Sequence, residues 1–326
     1  MPKNKIDTIA VLTPGGDAPG MNTAIRAVVR TAISYGLKVF GIHKGWHGMI
    51  TGQIKELNLM SVGGIINRGG TMLHTHRCPE FKEKKMRQIA YKNLSERGID
   101  GLIVIGGDGS LAAANVVAQE TEFLVTHIPA SIDNDISCTD YTIGFDTAVN
   151  TALEAIDKIR DTAASHERVF IVEVMGRRHG ILALEVGLVA GAEVIVIPEV
   201  KYNVKAIAKR ILDGRERGKT SFIIVVAEGA IRAHEFAKLL DPKIKDMDVR
   251  ISVLGHMQRG GSPTAISREL ACKTGACAVE CLVQGKSRLM MGAVSEDIIE
   301  VPFAKVLKHK KKADLRQLRL AEMLAI

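Results

Sequence analysis

Eight short apolar segments, each followed by a longer stretch of mixed polarity, constrain the fold of this chain more than any other feature. A parallel strand needs a crossover of roughly a dozen residues to reach its neighbour, and these spacings leave room for crossover helices. From Phe145 to Ile159, apolar residues recur with a period of about 3.6, which predicts a helix with one face on a sheet. The predicted strands are DTIAVLT, LKVFGIH, IDGLIVIGG, EFLVTHIP, RVFIVEVMG, AEVIVIPEV, TSFIIVVAE and VRISVLG.

The distribution of glycines and charges decides between two α/β architectures. Eight parallel strands could close into a barrel. However, glycine-rich strand ends cluster in the first half of the chain and basic ones in the second, which favours two open, mainly parallel sheets that face each other across a cleft. The length of 326 residues agrees with about two domains. We find no linker or repeat, so we expect the domains to be joined intimately.

Composition excludes several classes of protein. No apolar run approaches the roughly 18 residues of a membrane span, and the start MPKNKIDTIAVLT passes from a charged tip into a strand without a cleavage signature. We therefore expect a cytoplasmic protein without a membrane partner. The cysteines are odd in number and lack metal-ligand spacing, and three of them recur at helical intervals, which favours core thiols over disulfides or zinc ligands. They are Cys78, Cys138, Cys272, Cys277 and Cys281.

The formal net charge of +8 raises the question of nucleic-acid binding. Much of the excess lies in the tail KVLKHKKKADLRQLRL, and such a run is usually a solvated face. The other arginines are scattered and lack the interleaved aromatic residues of a groove for single-stranded nucleic acid. We therefore predict small anionic ligands and no nucleic-acid partner.

Two glycine-rich turns follow predicted strands and precede predicted helices. PGGDAPGMN lies between TIAVLT and TAIRAVVRTAIS, and GGDGS lies between LIVIGG and LAAANVVAQ. Adjacent glycines let the backbone approach a ligand, and the start of a helix offers N–H groups to an anion. Neither the dinucleotide fingerprint nor the Walker motif occurs in the first of these turns. A tight strand-to-helix turn would also use these glycines, so the first turn alone does not decide between structure and function.

Carboxylates mark two of the strand ends. Asp108 in GGDGS supplies the hard oxygen that suits Mg²⁺. Asp133 and Asp135 in IDND follow the strand EFLVTHIP, where they could be catalytic groups or ordinary turn residues. Because the carboxyl ends of parallel strands meet at one edge of a sheet, we expect both glycine-rich turns and IDND to lie along that edge.

In the second half of the chain, charged residues flank the predicted strands, and most of them are basic. Guanidinium groups bind phosphate oxygens in a bidentate manner, so the set predicts a sugar-phosphate site, although each arginine alone is more often a surface charge. The set consists of Arg168, Arg177, Glu228, Arg250 and the segment LGHMQRGGSP.

The order of these motifs resembles that of the bacterial ATP-dependent 6-phosphofructokinase family. The resemblance covers nearly the whole chain and is carried by GGDAPGMN, INRGGT, RCPEF, GGDGS, IDND, TDYTIGFDTA, ASHER, EVMGR, AEG and LGHMQRGGSP. It implies two similar α/β domains with the active site in the cleft between them, and a homotetramer. We assign residues 1–138 with about 252–305 to an ATP-binding domain, and 139–251 with about 306–326 to a fructose 6-phosphate-binding domain.

The resemblance also implies roles for individual residues. Asp133 would be the general base that takes the proton from the 1-hydroxyl of fructose 6-phosphate, Asp135 would help to hold the metal-linked network, and Asp108 would bind Mg²⁺. Arg177, together with Mg²⁺, would neutralise charge. Ser131 stands where the family usually has threonine, and its hydroxyl should keep the phosphate contact. The ATP site would comprise Gly16, Trp46, Arg77, Cys78, Gly107, Gly109 and Ser110. The sugar-phosphate site would comprise Arg168, Met175, Gly176, Arg177, Glu228, Arg250, His256 and Arg259, with Arg168 and Arg250 reaching across from a neighbouring subunit.

Two positions indicate ATP rather than pyrophosphate. Relatives that use pyrophosphate typically carry an aspartate where this chain has Gly109 and a lysine where it has Ala130. A carboxylate at the first position would crowd and repel the α-phosphate of ATP. The rival interpretations are an NAD or lipid kinase with a GGDG loop, which does not explain LGHMQRGGSP, and a catalytically silent nucleotide sensor, which does not explain why Asp133 and Asp108 are both present.

The second nucleotide site of the family, which binds ADP or phosphoenolpyruvate between subunits, is only partly retained. An expected arginine is replaced by Leu59, and hydroxyl residues replace a lysine and a histidine in the segment RGKTS. We therefore expect a weak or altered effector response. The alternative is that the remaining arginines are structural and tie subunits together. The candidate effector residues are Arg26, Arg30, Arg160, Glu193, Arg217 and Lys219.

Overall fold

The computed structural model describes residues 6–325, so the predicted charged tip MPKNK and the last residue of the predicted second domain lie outside the described part. The strands are β1 (Thr8–Leu12), β2 (Lys38–Ile42), β3 (Ile54–Leu57), β4 (Gly101–Gly106), β5 (Leu124–Pro129), β6 (Val169–Val174), β7 (Val194–Val196), β8 (Phe222–Ala227), β9 (Val249–Val253), β10 (Leu289–Val294) and β11 (Asp297–Pro302). The α-helices are α1 (Met21–Ser34), α2 (Gly45–Thr51), α3 (Lys84–Ser95), α4 (Asp108–Glu120), α5 (Phe145–His166), α6 (Ile181–Val189), α7 (Val204–Glu216), α8 (Ala233–Leu240), α9 (Ala265–Val283), α10 (Phe303–Lys308) and α11 (Leu315–Leu324).

The described residues form two compact units. The first comprises the residues up to Thr147 together with Arg259–Lys311. The second comprises Ala148–Gln258 together with the residues from Lys312 onward. Each unit is therefore assembled from separate stretches of chain.

The first unit is built on a seven-stranded sheet in the order β11-β10-β5-β4-β1-β2-β3. Its inner pairs are parallel, and the edge pairs β2–β3 and β10–β11 are antiparallel. All residues of β1 and β4 are buried, as expected for parallel strands covered on both faces. Helices α1 and α9 pack so closely that a Cβ on Gly275 would lie only 2.7 Å from the Ala27 Cβ atom.

The second unit contains a four-stranded parallel sheet in the order β7-β8-β6-β9. Strands β6 and β8 are buried along their whole length. The hydrophobic core of this unit includes Val169, Ile171, Ile224, Val226 and Phe236. This unit thus has an open α/β architecture like the first one but with fewer strands.

The main sequence predictions of fold are confirmed. All eight predicted strands are present, and the predicted helix that begins at Phe145 extends to His166. The five cysteines are free thiols, and Cys272, Cys277 and Cys281 lie on α9. Only Cys281 among the five is buried, so the prediction of core thiols was too broad. Within residues 6–325, no helix is both long enough and apolar enough to cross a membrane.

Candidate active site

The glycine-rich turns and IDND follow three adjacent parallel strands, as the sequence predicted. Strands β5, β4 and β1 are neighbours in the sheet, so the segments that follow them emerge at the same edge. The Ala130 N–H donates to the Gly106 carbonyl at 3.0 Å, which ties the end of β5 to the end of β4. This edge is the candidate active site of the first unit.

The turn after β1 is pinned to the turn after β4. The Ser110 hydroxyl donates to the Pro14 carbonyl at 3.0 Å, and the Thr75 hydroxyl donates to the Gly15 carbonyl at 2.6 Å. Gly15 has a φ of 94°, in the left-handed region, and a Cβ there would lie 3.2 Å from the Ser110 hydroxyl. Gly15 thus shapes this turn, while the partly exposed Gly16 can meet a ligand.

The GGDGS turn presents an open backbone at the start of helix α4. Apart from the chain neighbours of each glycine and the backbone of α4, no described heavy atom lies within 4 Å of where a Cβ would stand on Gly107 or Gly109. Asp108 is exposed, and its carboxylate accepts a hydrogen bond from the Gly109 N–H at 2.6 Å. The N–H groups of the first helical turn and the free surface of the glycines make this turn suitable for phosphate.

The described residues do not form a metal site built from protein side chains alone. Among residues 6–325, no group of three or more histidine, cysteine or acidic side chains could hold a metal ion. Mg²⁺ usually keeps several waters and binds through one or two carboxylates plus substrate phosphates. An exposed aspartate beside a phosphate-binding turn fits that mode of binding.

The IDND segment is a turn that hydrogen bonds fix in place, and it carries the Asp133 carboxylate. Asp133 is buried, and its N–H donates to the Ser131 hydroxyl at 3.2 Å, while that hydroxyl lies 3.4 Å from Asp135 Oδ1. Asn134 has a φ of 49°, a conformation that asparagine tolerates well, and its Nδ2 donates to the Asp140 carbonyl at 2.9 Å. The two interpretations left open by the sequence are therefore compatible.

The predicted ATP-site residues Trp46, Arg77 and Cys78 differ in how exposed they are. Arg77 is exposed. Burial, followed by the hydrogen bond with Glu80, raises the pKa of the Cys78 thiol, which disfavours a thiolate. Trp46 is buried and stacks on Phe81 with ring centroids 4.5 Å apart, within the apolar core. Most of the Trp46 ring is therefore covered by protein, and its place near the nucleotide stays a prediction.

In the second unit, the segment after β6 is held in a strained conformation. The Met175 N–H donates to Gln258 Oε1 at 2.9 Å, and the Arg177 N–H donates to Glu228 Oε1 at 2.9 Å. Gly176 has a φ of 136° and Arg177 a φ of 52°, and a Cβ on Gly176 would lie 2.6 Å from the His179 carbonyl oxygen. Buried and paired side chains thus fix the backbone that presents Arg177.

Gln258 was not singled out by the sequence, although it stands within the quoted motif LGHMQRGGSP. Its side chain is fully buried, and among the described residues its Nε2 has no hydrogen-bond partner. Because its Oε1 accepts from a backbone N–H, the amide cannot be turned around without placing two donors together. No signal in the sequence distinguishes this glutamine from the exposed His256 nearby.

Arg168 and Arg250 lie at the opposite end of this sheet from Arg177. Arg168 precedes β6, and Arg250 is the second residue of β9, so both are near the amino ends of their strands. Both guanidinium groups bind Asp248, at 2.7 Å from Arg168 Nε and 2.8 Å from Arg250 Nη2. The structure brings these two predicted residues together but separates them from Met175, Gly176, Arg177 and Glu228.

Arg259 belongs to the first unit and is tied to the first glycine-rich turn. Its Nη1 donates to the Asp17 carbonyl at 3.0 Å and lies 4.0 Å from the Asp17 carboxylate. A guanidinium next to PGGD is placed to meet a negatively charged ligand at that edge.

The candidate effector residues of the second unit form an internal ion cluster. Glu193 is buried, and its Oε1 lies 2.7 Å from Lys219 Nζ and 3.8 Å from Arg160 Nη1. Arg160 also donates to the Ala190 carbonyl at 2.7 Å. This supports a structural role for these cations. Arg217 and Leu59 are exposed, and Arg26 and Arg30 lie on α1 of the first unit.

The first unit has the architecture of phosphate-binding α/β proteins, with glycine-rich turns at the carboxyl edge of a parallel sheet. A model of the family described as phosphofructokinase matches residues 8–282. An ATP-dependent 6-phosphofructokinase of a Thermoanaerobacter species is 50% identical over 98% of this chain and 99% of that protein. One from Staphylococcus carnosus is 52% identical over 98% of this chain and 99% of that protein. The chain belongs to the phosphofructokinase family.

Solved structures agree with that assignment. The phosphofructokinase of Pichia pastoris in the T-state matches with a TM-score of 0.87 and 36% identity, over 98% of this chain and 36% of that chain. A pyrophosphate-dependent phosphofructokinase from Marinobacter aquaeolei matches with a TM-score of 0.84 over 98% of this chain and 92% of that chain, and at 23% identity it shows the fold alone.

Proposed function

We propose that the chain is an ATP-dependent 6-phosphofructokinase of glycolysis, which acts in the cytoplasm. It transfers the γ-phosphoryl group of MgATP to the 1-hydroxyl of fructose 6-phosphate and releases fructose 1,6-bisphosphate and ADP. The observation that carries the proposal is the buried Asp133, fixed beside two phosphate-friendly turns at one edge of a sheet. Relatives that are about half identical over nearly their whole length and carry this name support it.

In this proposal, Asp133 acts as the general base. Its carboxylate accepts the proton of the 1-hydroxyl while the hydroxyl oxygen attacks the γ-phosphorus, and the bond to the bridging oxygen of ADP breaks. The hydrogen bond from the Asp133 backbone N–H to Ser131 fixes the turn that carries this carboxylate before the substrates bind. Phosphoryl transfer depends mainly on such positioning and on charge neutralisation.

The ATP phosphates would lie against Gly16, Gly107, Gly109 and Ser110, with Arg77 and Cys78 completing the nucleotide site. Asp108 and Asp135 would hold the network around Mg²⁺, which supplies charge neutralisation on the phosphate oxygens. Arg177 adds a positive charge for the transferring group. This assigns ATP to residues 1–138 with about 252–305, and fructose 6-phosphate to residues 139–251 with about 306–326.

The sugar-phosphate site would be shared between subunits of a homotetramer. Met175, Gly176, Arg177, Glu228, His256 and Arg259 would come from one chain, and Arg168 and Arg250 from its neighbour. The placement of Arg168 and Arg250 at the amino end of the second sheet supports this division, because Met175 and Arg177 follow the carboxyl end of the same sheet.

Gly109 and Ala130 support ATP as the phosphoryl donor. Outside its chain neighbours and the backbone of α4, no described heavy atom lies within 4 Å of where a Cβ would stand on Gly109, so position 109 itself adds no side chain that would crowd or repel an ATP phosphate. The test is a coupled assay with fructose 6-phosphate and Mg²⁺, run in parallel with ATP and with pyrophosphate. Faster turnover with pyrophosphate would refute ATP use, and no turnover with either donor would favour another kinase or a silent nucleotide sensor.

A further inference from the structure

One lysine in the basic C-terminal run is not part of a solvated face. Lys308, Lys310 and Lys312 are exposed, whereas Lys311 is half-buried. Its Nζ donates to the Thr139 carbonyl at 2.8 Å and to the Asp140 carbonyl at 2.7 Å. The prediction that this run is a solvated face is therefore wrong at Lys311.

The backbone carbonyl of Asp140 connects Lys311 to the IDND turn. It accepts a second hydrogen bond, from Asn134 Nδ2 at 2.9 Å. The Asn134 side chain lies in turn 3.3 Å from the hydroxyl of Thr142, which donates to the Ser131 carbonyl at 2.5 Å. An unbroken series of polar contacts thus runs from the ammonium of Lys311 to the residues that flank Asp133.

The charge of Lys311 is placed to act on this turn. Burial lowers the pKa of Lys311 to about 8, while the nearby carboxylates of Asp140 and Asp135 oppose that shift. The side chain is therefore still largely protonated at neutral pH. Hydrogen bonds from a charged donor are roughly twice as strong as neutral ones, so the two carbonyls are held firmly.

We propose that Lys311 is a positioning residue for phosphoryl transfer, which clamps the Thr139 and Asp140 carbonyls and so holds the Asp133 turn in its reactive arrangement. The inference rests on the proposed role of Asp133 as general base. It assigns a function to a residue of the C-terminal run that the proposed function places in neither the substrate site nor the metal site.

The test compares Lys311→Met with Lys310→Met and Lys312→Met, each of which removes one positive charge from the same run. Loss of two charge-assisted hydrogen bonds should lower kcat about tenfold, since about 1.4 kcal/mol corresponds to that factor. The KM for ATP should stay near that of the two controls, which should keep the kcat of the unmodified enzyme. Lys311→Arg keeps the charge and several donors, so it should recover most of the lost turnover.

A double-mutant cycle tests the path of the effect. Thr142→Val removes the hydroxyl that links Asn134 to Ser131 with little change in volume. If Lys311 acts through this network, adding Lys311→Met to Thr142→Val should lower kcat by less than it does in the unmodified enzyme. Losses in kcat that multiply independently would overturn the proposed path.

Two further results would overturn the inference. One is a kcat of Lys311→Met equal to that of Lys312→Met. The other is a loss of kcat accompanied by an equal loss of ATP affinity and a lower melting temperature, which would mean general destabilisation. Asp133→Ser separates this inference from the proposed function: unchanged turnover in that variant refutes the base assignment, whatever Lys311→Met does. If Asp133→Ser is inactive and Lys311→Met is not, only the inference about Lys311 fails.

Discussion

Mixing two inactive variants should restore activity if Arg250 serves the site of a neighbouring subunit. Arg250 lies near the amino end of the second sheet, whereas Arg177 follows its carboxyl end. Arg250 pairs with Phe170, four residues and thus about 13 Å before the end of β6, and its guanidinium binds Asp248 at the amino end of the sheet. The proposal therefore assigns Arg250 to the site of a neighbouring chain and Arg177 to the site of its own chain.

The expected recovery follows from counting sites. We take Asp133→Ser, which lacks the base, and Arg250→Ala, which lacks the phosphate contact, and exchange their subunits in equal amounts. About half of the interacting pairs are then hybrids, and one of the two sites in each hybrid has both an intact Asp133 and a neighbour with an intact Arg250. Activity should return to about a quarter of that of the unmodified enzyme, measured with the coupled assay below saturating fructose 6-phosphate.

A second mixture provides the control. Asp133→Ser and Arg177→Ala affect groups that the proposal places in the same site of the same chain, so no hybrid pair should contain a complete site. Their mixture should therefore stay as inactive as the two parents. Absence of recovery with Arg250→Ala, despite subunit exchange verified by mass spectrometry, would mean that Arg250 does not reach a neighbouring site.

Three other perturbations have distinct expected results. Asp133→Ser should lower kcat by roughly 10² or more with little change in either KM, since it removes the proton acceptor alone, and near-normal turnover would refute the base assignment. Millimolar phosphoenolpyruvate should barely shift the fructose 6-phosphate saturation curve, because Lys219 is engaged by Glu193; strong sigmoidal inhibition relieved by ADP would contradict this. The hydrogen bond from Arg87 lowers the pKa of Glu120 to about 2, below its value of about 4.3 in an unfolded chain. Its contribution to the free energy of unfolding is thus complete above about pH 5 and is lost as the pH falls towards 2, and Glu120→Gln should weaken the pH dependence of urea unfolding in that window.

The fold could be predicted from sequence where strands are buried on both faces. β4 and β8 read as continuous apolar runs because helices cover them, and the structure confirms both. β3 was missed because only its first and last residues are buried, and β11 because it is an edge strand with mostly exposed side chains. The apolar β10 was also missed, since a single apolar run does not reveal that it pairs with β5.

The candidate site was predictable where motifs follow strands, as with GGDGS and IDND. Sequence could not show that Arg168 and Arg250 share Asp248, because that pairing depends on the register of β6 and β9. It could not separate Lys311 from the exposed lysines beside it, since burial of one member of a charge run leaves no trace in composition. Sequence also could not show that Trp46 is buried against Phe81, because that contact joins segments far apart in the chain.

Because the first unit combines two separate stretches of chain, it cannot complete its fold until the ribosome has synthesised the second stretch. β5 reaches its partner β10, and α1 its partner α9, only after residues 259–311 have been made. Until then the nascent first unit carries an open strand edge and an uncovered apolar helix face, both of which favour association with other chains. A stalled or truncated product that ends before Arg259 should therefore be a substrate for chaperones.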